Sequence, residues 1–479
     1  MPSKRVFISA DHGLAIVYFL QSDVVPTLLK AGVGVVLLTD DGLRDQIQKR
    51  FGQEGLVIEG LRMNLARRYF EDIKGSEQYW LNFLRRVGAS NRINVEAMTS
   101  HVRQVEVEAE GKRRMLMPFM KGVIGLLRRS KSARQNLVKR QDQFSPDLYT
   151  DLFNEYSPDL VVASTAGWRL DRYLLRQAVR LGVKTAAAIV GWDNPSSYSL
   201  PGARLDRINC WSEIQKEELV LGSDWDPGRV HIGGIPSYDG YFRKQWLMSK
   251  DEYFRLHKLD PKRKLLGYAC SFITFSPNYQ NIEALARMVA SDSLAEPCQL
   301  LIRLHPNHFM DEPLFEGERK RIQLLARELP NVHVVEPVPL GGELGYYSGE
   351  DMPEKTSMMA YSDVFLTVYS TMVVEAAIHD RPIVSVCFDA PGGWNQPGRF
   401  SLPLSKIGDW PTHQRFRLAG AGRVAMNEAE LRESLNYSLI NPDADRGRRA
   451  AFIQRECTYV DGSAGKRTGD YLLSVINKT

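Results

Sequence analysis

No two of the five cysteines form a CxxC pair, and an odd number scattered as Cys210, Cys270, Cys298, Cys387 and Cys457 does not read as a disulfide framework. Several stand in apolar, strand-like runs, so buried thiols in a reducing compartment are expected. No apolar run approaches the ~18 residues of a membrane span. The opening MPSKRVFISADHG enters a strand at once, without the apolar region of a signal peptide. These absences point to a cytoplasmic protein, with any membrane contact peripheral and on the inner face of the plasma membrane. No GxGxxG, Walker loop, HExxH or GxSxG is spelled, so the chain carries none of those signatures of dinucleotide, P-loop, zinc-protease or hydrolase chemistry. Two DxD spellings, Asp224-Trp225-Asp226 and Asp443-Ala444-Asp445, lie away from obvious strand ends, so no metal site is expected. Internal repeats and long low-complexity tracts are also missing.

What is present is ordinary for a globular chain. Hydrophobic residues make up 43% and charged residues 25%, enough apolar material for full cores. A length of 479 residues predicts two or three domains. A net charge of +5 is mild for this length. Strands alternate with helices in both halves, which predicts parallel sheets and an α/β class. Arg5 to Ser9 reads as a first strand, Ala15 to Lys30 as a helix, and GVGVVLLTDD as a second strand. The alternation resumes with DLVVAST, a helix from Asp171 to Leu181, and KTAAAIVGWDN. RVHIGGIPSYDGY, 229–241, reads as the last strand of this half and its exit. Residues 242–262 read as a linker, and RKLLGYACS at 263 begins a second domain running to 479.

The richest stretch is YSDVFLTVYSTMVVEAAIHDRPIVSV, 361–386. Val364 to Val368 reads as a buried strand, Met372 to His379 as a helix, and Ile383 to Val386 as the next strand. Ser370 or Thr371 caps the helix, leaving free N–H groups at a positive dipole end. Such an end at the C-terminal edge of a parallel sheet seats a phosphate. Thr371 and Glu375 are four apart and share a face. That pattern suits a nucleotide, with phosphate at the mouth and ribose hydroxyls on Glu375; the plain alternative is an ordinary capped helix with a solvated Glu. The second stretch is QLLIRLHPNHF, 299–309. Its Pro306 fixes a turn that holds His305 at a strand end, where His305 could donate to a diphosphate faced by Arg303. A surface His with a structural Pro is the competing reading.

The pair RLHPN and SDVFLTVYSTMVVEAAIHDRPIV resembles the C-terminal domain of GT-B glycosyltransferase-like enzymes, nearest the CDP-glycerol glycerophosphotransferase and capsule polysaccharide transferase branch. There an R-x-HP strand end is followed by a pattern aDvlitDySSvvfEaallgkPvi. Ser370-Thr371 stands for its Ser-Ser pair, while Val368 stands where the pattern has Asp, a departure that bears on the glycerophosphate substrate rather than on the fold. The tail TYVDGSAGKRTGDYLLSVI is similar to the family's closing DGkaseRi helix. The resemblance spans about residues 263 to 475. It implies two Rossmann-like, doubly wound domains facing a cleft, with a nucleotide-activated donor on the second and a hydroxyl acceptor from the first.

Other strand ends supply further candidates. ADHGLA places His12 at the first strand's end, where a histidine could deprotonate an acceptor hydroxyl, with Asp11 the competing base. Trp192, Asp193 and Asn194, in GWDNPSSYS, end another strand and could meet the acceptor; a structural turn capped by Asp193 is the alternative. STAGW, 164–168, is a weaker candidate. Ser271 and Thr274, after the first strand of the second domain, could meet donor phosphates. GGWNQPG, 392–398, reads as a covering loop or plain surface.

The resulting expectation is a metal-independent transferase without a resident cofactor. It would move a sugar, or a CDP-linked polyol phosphate, from a nucleotide-activated donor to a hydroxyl, lipid-linked or free, in cell-surface polysaccharide or glycolipid synthesis. Helix ends and His305 or Arg303 would stabilise the leaving phosphate. Two rivals are a hydrolysing UDP-sugar 2-epimerase, which usually carries a DSGG turn where this chain has VYST, and a non-catalytic nucleotide-binding subunit. A helical insertion at about 60–150 carries ten Lys or Arg and no acid between residues 112 and 140. With Met115, Met117, Phe119, Met120, Val123, Ile124, Leu126 and Leu127 it could lie on an anionic membrane surface. Packing on the domain is the alternative. A nucleic-acid partner is not expected, because Phe119 is the segment's single aromatic.

Overall fold

Runs such as VGVVLLT and LVVA have apolar side chains pointing both ways, so they can be satisfied only as strands covered on both faces. Every residue of these two strands is indeed buried. The computed structural model describes residues 4–271, 277–310, 312–389, 400 and 402–477. Thr274 and the 392–398 loop lie outside the described residues.

The first sheet contains β1 (Lys4–Ser9), β2 (Val33–Thr39), β3 (Leu56–Gly60), β4 (Leu160–Ala163), β5 (Lys184–Ala188), β6 (Arg207–Cys210) and β7 (Val230–Ile232). All are parallel, in the order β3-β2-β1-β4-β5-β6-β7. The second contains β8 (Lys264–Ala269), β9 (Cys298–Arg303), β10 (Val332–Val335), β13 (Val364–Thr367), β14 (Ile383–Val386) and β15 (Arg423–Ala425). Its order is β10-β9-β8-β13-β14-β15, again parallel. Between β10 and β13 a short antiparallel hairpin, β11 (Pro339–Gly341) and β12 (Tyr346–Tyr347), stands apart from both sheets. The strand order reverses between β1 and β4 in one sheet and between β8 and β13 in the other. The crevices beyond these reversals are where open α/β sheets bind ligands.

The two halves are joined by more than the linker. Tyr346 of the hairpin accepts from Asp40 N–H (3.1 Å) and donates to the Ala10 carbonyl. Asp40 in turn accepts from Glu343 N–H at 2.6 Å. Arg415, in the helix Pro411–Ala419, holds Glu218 of the first domain (2.9 Å) and Glu456 (2.8 Å).

Three expectations are revised. The predicted helix from Ala15 to Lys30 is two helices, Ala15–Leu20 and Val24–Lys30. The linker is partly helical, with Lys250–Leu256 capped by Ser249, whose Oγ accepts from Glu252 N–H at 3.3 Å. The last helix, Ala464–Asn477, leaves the second sheet and packs on the first domain. Leu472, Val475 and Ile476 enter that domain's core, and Asp239 accepts from Ala464 and Gly465 N–H at 2.9 and 2.8 Å.

Between β3 and β4 lies a helical insertion comprising Met63–Asp72, Gly75–Val87, Glu96–Glu108, Gly111–Arg129 and Lys131–Arg140, followed by Thr150–Tyr156. It has its own core, built on Trp80, Phe83, Leu84, Met98, Met117, Ile124 and Leu127. It also reaches the second domain. Asn94 donates to the Asp409 carbonyl and to Gln414 Oε1, both at 3.1 Å, and Trp410 donates to Ser100 Oγ at 3.1 Å. All five cysteines are buried and free. Among the described residues no helix is long and apolar enough to cross a membrane.

Candidate functional site

The C-terminal ends of β8, β9 and β13 converge on one cleft, which encloses about 340 Å³ and takes its other wall from the first domain. That volume lies in the range of small-molecule sites, roughly 300–1,000 Å³. β8 delivers Ser271, whose backbone N–H donates to Asn278 Oδ1 (3.2 Å) and whose carbonyl accepts from Asn278 Nδ2 (2.9 Å). β13 delivers Tyr369, Ser370 and Thr371. Tyr369 has φ of 26°, a left-handed conformation that a bulky side chain adopts only when its surroundings impose it. The turn lets Ser370 Oγ accept from Met372 N–H (3.3 Å) at the start of the helix Met372–Ile378. Ser370 therefore performs the capping role, and the Thr371 hydroxyl does not cap.

β9 delivers Arg303 and His305, both lining the cleft. Arg303 was expected to face a diphosphate. Its guanidinium is instead clasped by Asp351 and Glu354, a buried cluster that leaves the arginine more than neutralised. Burial opposes its charge, but Glu354 and Asp351 hold its pKa above the usual value. His305 Nδ1 accepts from Asn307 N–H (3.1 Å), so its proton sits on Nε2, 3.2 Å from the Tyr347 hydroxyl. Burial, with His308, Arg303 and Lys355 nearby, pushes its pKa down to about 3. His305 is therefore a neutral imidazole that presents a donor.

Glu375 lines the cleft too, and its Oε2 accepts from Tyr241 of the first domain (2.5 Å) and from Lys355 Nζ (2.6 Å). The expected ribose ligand is thus engaged by protein groups. Lys355, in the helix Met352–Tyr361, escapes sequence reasoning because it stands twenty residues from Glu375 and only the fold joins them. An ammonium has three donors, and the pairing with Glu375 uses one, so Lys355 keeps donors for an anion beside a single carboxylate, whereas two carboxylates already clasp Arg303.

On the first-domain wall the two expected bases are displaced. Asp11 is fully buried and accepts from Asp171 N–H (2.9 Å), with Arg169 Nε at 3.3 Å. Burial raises its pKa, and Arg169 works the other way. His12 Nδ1 accepts from Leu14 N–H at 3.1 Å, and burial followed by Arg169 lowers its pKa to about 3. The hairpin packs against this loop: Tyr347 N–H donates to the Gly13 carbonyl at 2.9 Å, and a Cβ on Gly13 would come within 2.8 Å of the Gly345 oxygen. Leu14, rather than His12 or Asp11, forms the cleft wall.

The GWDN turn divides. Asn194 is buried and accepts from Gly191 N–H at 2.8 Å, which makes it a turn holder. Trp192 lines the cleft while its Nε1 donates to Glu456 at 2.7 Å. Asp193 also lines the cleft, and among the described residues its carboxylate has no hydrogen bond or ion pair. The opposite rim carries Trp410 and His413, with ring centres 6.3 Å apart and planes 26° apart, and Tyr369 against His413 at 4.9 Å. A Trp-Pro start to their helix was the only sequence signal for this wall. Of the DxD spellings, Asp224 pairs with buried Arg134 at 2.6 Å and Asp226 caps Gly228 N–H at 2.8 Å.

No protein-family model and no curated protein sequence matches the chain. Solved structures match along the whole length. UDP-GlcNAc 2-epimerase from Neisseria meningitidis, bound to UDP-GlcNAc, aligns at 12% identity over 98% of this chain and 100% of its own, with a TM-score of 0.54. A glycosyltransferase from Rickettsia africae aligns at 10% identity over all of both chains, TM-score 0.52. UDP-GlcNAc 2-epimerase from Methanocaldococcus jannaschii aligns at 10% over 98% and 99%, TM-score 0.52. With the two parallel sheets and the cleft between them, these similarities establish a GT-B fold.

Proposed function

We propose that the chain is a transferase that takes a nucleotide-activated donor in this cleft and passes its sugar, or polyol phosphate, to a hydroxyl acceptor. One observation carries the reading. The cleft opposes a lysine with donors to spare, on the donor-type domain, to an unpartnered carboxylate, Asp193, on the other. Lys355 and the backbone at Ser370 and Thr371 receive the donor's phosphates, and the neutral His305 turns its Nε2 proton from the Tyr347 hydroxyl to them. Glu375 holds Lys355 in place. The flat rings of Trp410 and His413 suit a pyrimidine base. Asp193 accepts the acceptor's proton, a role for which Asp11, fully buried, and His12, outside the cleft lining, are misplaced. The leaving phosphate is then met by side-chain and backbone donors, without a divalent metal.

A second reading, a hydrolysing UDP-sugar 2-epimerase, is favoured by the UDP-GlcNAc 2-epimerases that predominate among the similar structures. Nucleotide release from UDP-sugars and CDP-polyols, followed with and without hydroxyl acceptors, separates the two. Release that requires an acceptor and survives EDTA is expected. Release of UDP with free sugar and no acceptor would favour the epimerase, and no release from any donor would overturn both.

A further inference from the structure

We propose that the helix Gly111–Arg129 is a docking surface for an anionic lipid bilayer. The helix turns Met117, Ile124 and Leu127 into the core of the insertion. Its opposite face is open and apolar. Met115 is 81% exposed, Phe119 65% and Leu126 59%. At 100° per residue these three fall within about 40° of one another, so they form one ridge rather than scattered surface residues. Between them sits Gly122, where an added Cβ would meet nothing within 4 Å. Exposed large apolar groups lined up on one helix face mark an interaction site more strongly than single exposed residues do.

The charges around the ridge select the partner. Not all the basic residues of the segment are available. Arg134 is locked to Asp224 at 2.6 Å, and Lys121 is paired with Glu106. Arg128 donates to Thr99 Oγ1 at 3.2 Å, and Arg113 stacks on Tyr79 at 4.3 Å. Lys112, Arg114, Arg129 and Lys131 are exposed, and no ion pair or hydrogen bond of their side chains is formed among the described residues. Against them, Glu110 is the one acid between residues 110 and 140. A second copy of the chain meeting this face about a two-fold axis would bring the same cations together, which disfavours self-association. A nucleic acid would use the cations but gain little from Met115 and Leu126. An anionic bilayer uses both, the headgroups taking the cations and the acyl boundary taking the ridge.

The test is co-sedimentation of the full chain with vesicles of phosphatidylcholine, alone and mixed with phosphatidylglycerol, at low and high salt. Two variants accompany it: Met115→Ser with Phe119→Ser and Leu126→Ser, and Lys112→Ser with Arg114→Ser, Arg129→Ser and Lys131→Ser. Arg113 and Arg128 are left intact because they hold Tyr79 and Thr99. Unchanged melting temperatures establish that both variants are folded, since none of the seven side chains is buried. Wild type is expected to sediment with the anionic vesicles at low salt and to be released by high salt. Each variant should bind at least about tenfold more weakly, a difference of about 1.4 kcal/mol. Wild type that stays in the supernatant at low salt would overturn the proposal. So would binding that the apolar variant retains in full and that an oligonucleotide matches, or concentration-dependent self-association, lost in the apolar variant, in place of vesicle binding.

Discussion

Lys355 and Glu375 make opposite predictions for two ways of using one ion pair. If Lys355 meets the donor's phosphates, Lys355→Met removes a charge-assisted bond worth about 1.5–3 kcal/mol. Nucleoside diphosphate affinity should then fall about ten- to hundredfold while nucleoside affinity stays put. Equal losses for nucleoside and diphosphate, measured by calorimetry, would return the ribose role to Glu375. Asp193→Asn should lower kcat by about 10²–10⁴-fold with donor affinity unchanged, the signature of a lost base. An unchanged kcat would leave Asp193 as a turn residue. His305 gives a pH prediction. An unfolded histidine titrates near about 6.5, whereas the half-buried His305 titrates at about 3. Between those values the unfolded chain binds a proton that the native chain does not. The stability tied to neutral His305 is therefore complete above the unfolded value and is lost as pH falls toward the folded one. Wild type should lose stability on acidification faster than His305→Asn; parallel denaturation curves would contradict the assignment.

The hairpin and the turn after β13 decide how the elements form a site. Tyr346 satisfies the buried Asp40 N–H and Ala10 carbonyl. Tyr346→Phe strands both, and should cost about 1–3 kcal/mol per unsatisfied group in urea denaturation. A loss within error would mean the hairpin is not fixed by this contact. The strand–turn–helix at 361–386 was legible because its apolar runs and capping residues all agree, and the strand ends at His305 and Ser271 followed from the same pattern. β3, β6, β10 and β15 were not legible. Each is three to five residues long, and most include a polar residue such as Glu59, Asn209, His333 or Arg423, so pairing in the sheet rather than local pattern makes them strands. The withdrawal of Asp11 and His12 from the cleft wall was equally hidden. It depends on the β11–β12 hairpin, more than three hundred residues later in the chain. A strand-end histidine looks the same in sequence whether a later segment covers it or not.

At the scale of the molecule, the two sheets are tied by a buried charge cluster beside the cleft. Arg415 is held by Glu218 and Glu456, while burial raises the Glu218 pKa to about 7 against the pull of Arg415. Arg415→Met leaves two buried carboxylates without their cation and should destabilise the chain by about 3–5 kcal/mol. A thermal melt indistinguishable from wild type would show the cluster to be incidental. The cleft between the two sheets is proposed above as a nucleotide site. Calorimetric titration of UDP and CDP into the wild-type chain and into Lys355→Met tests it most directly. Binding of one stoichiometric nucleotide by the wild type, weakened in the variant, is the predicted result. No heat with either nucleotide, or equal affinity in both proteins, would contradict it.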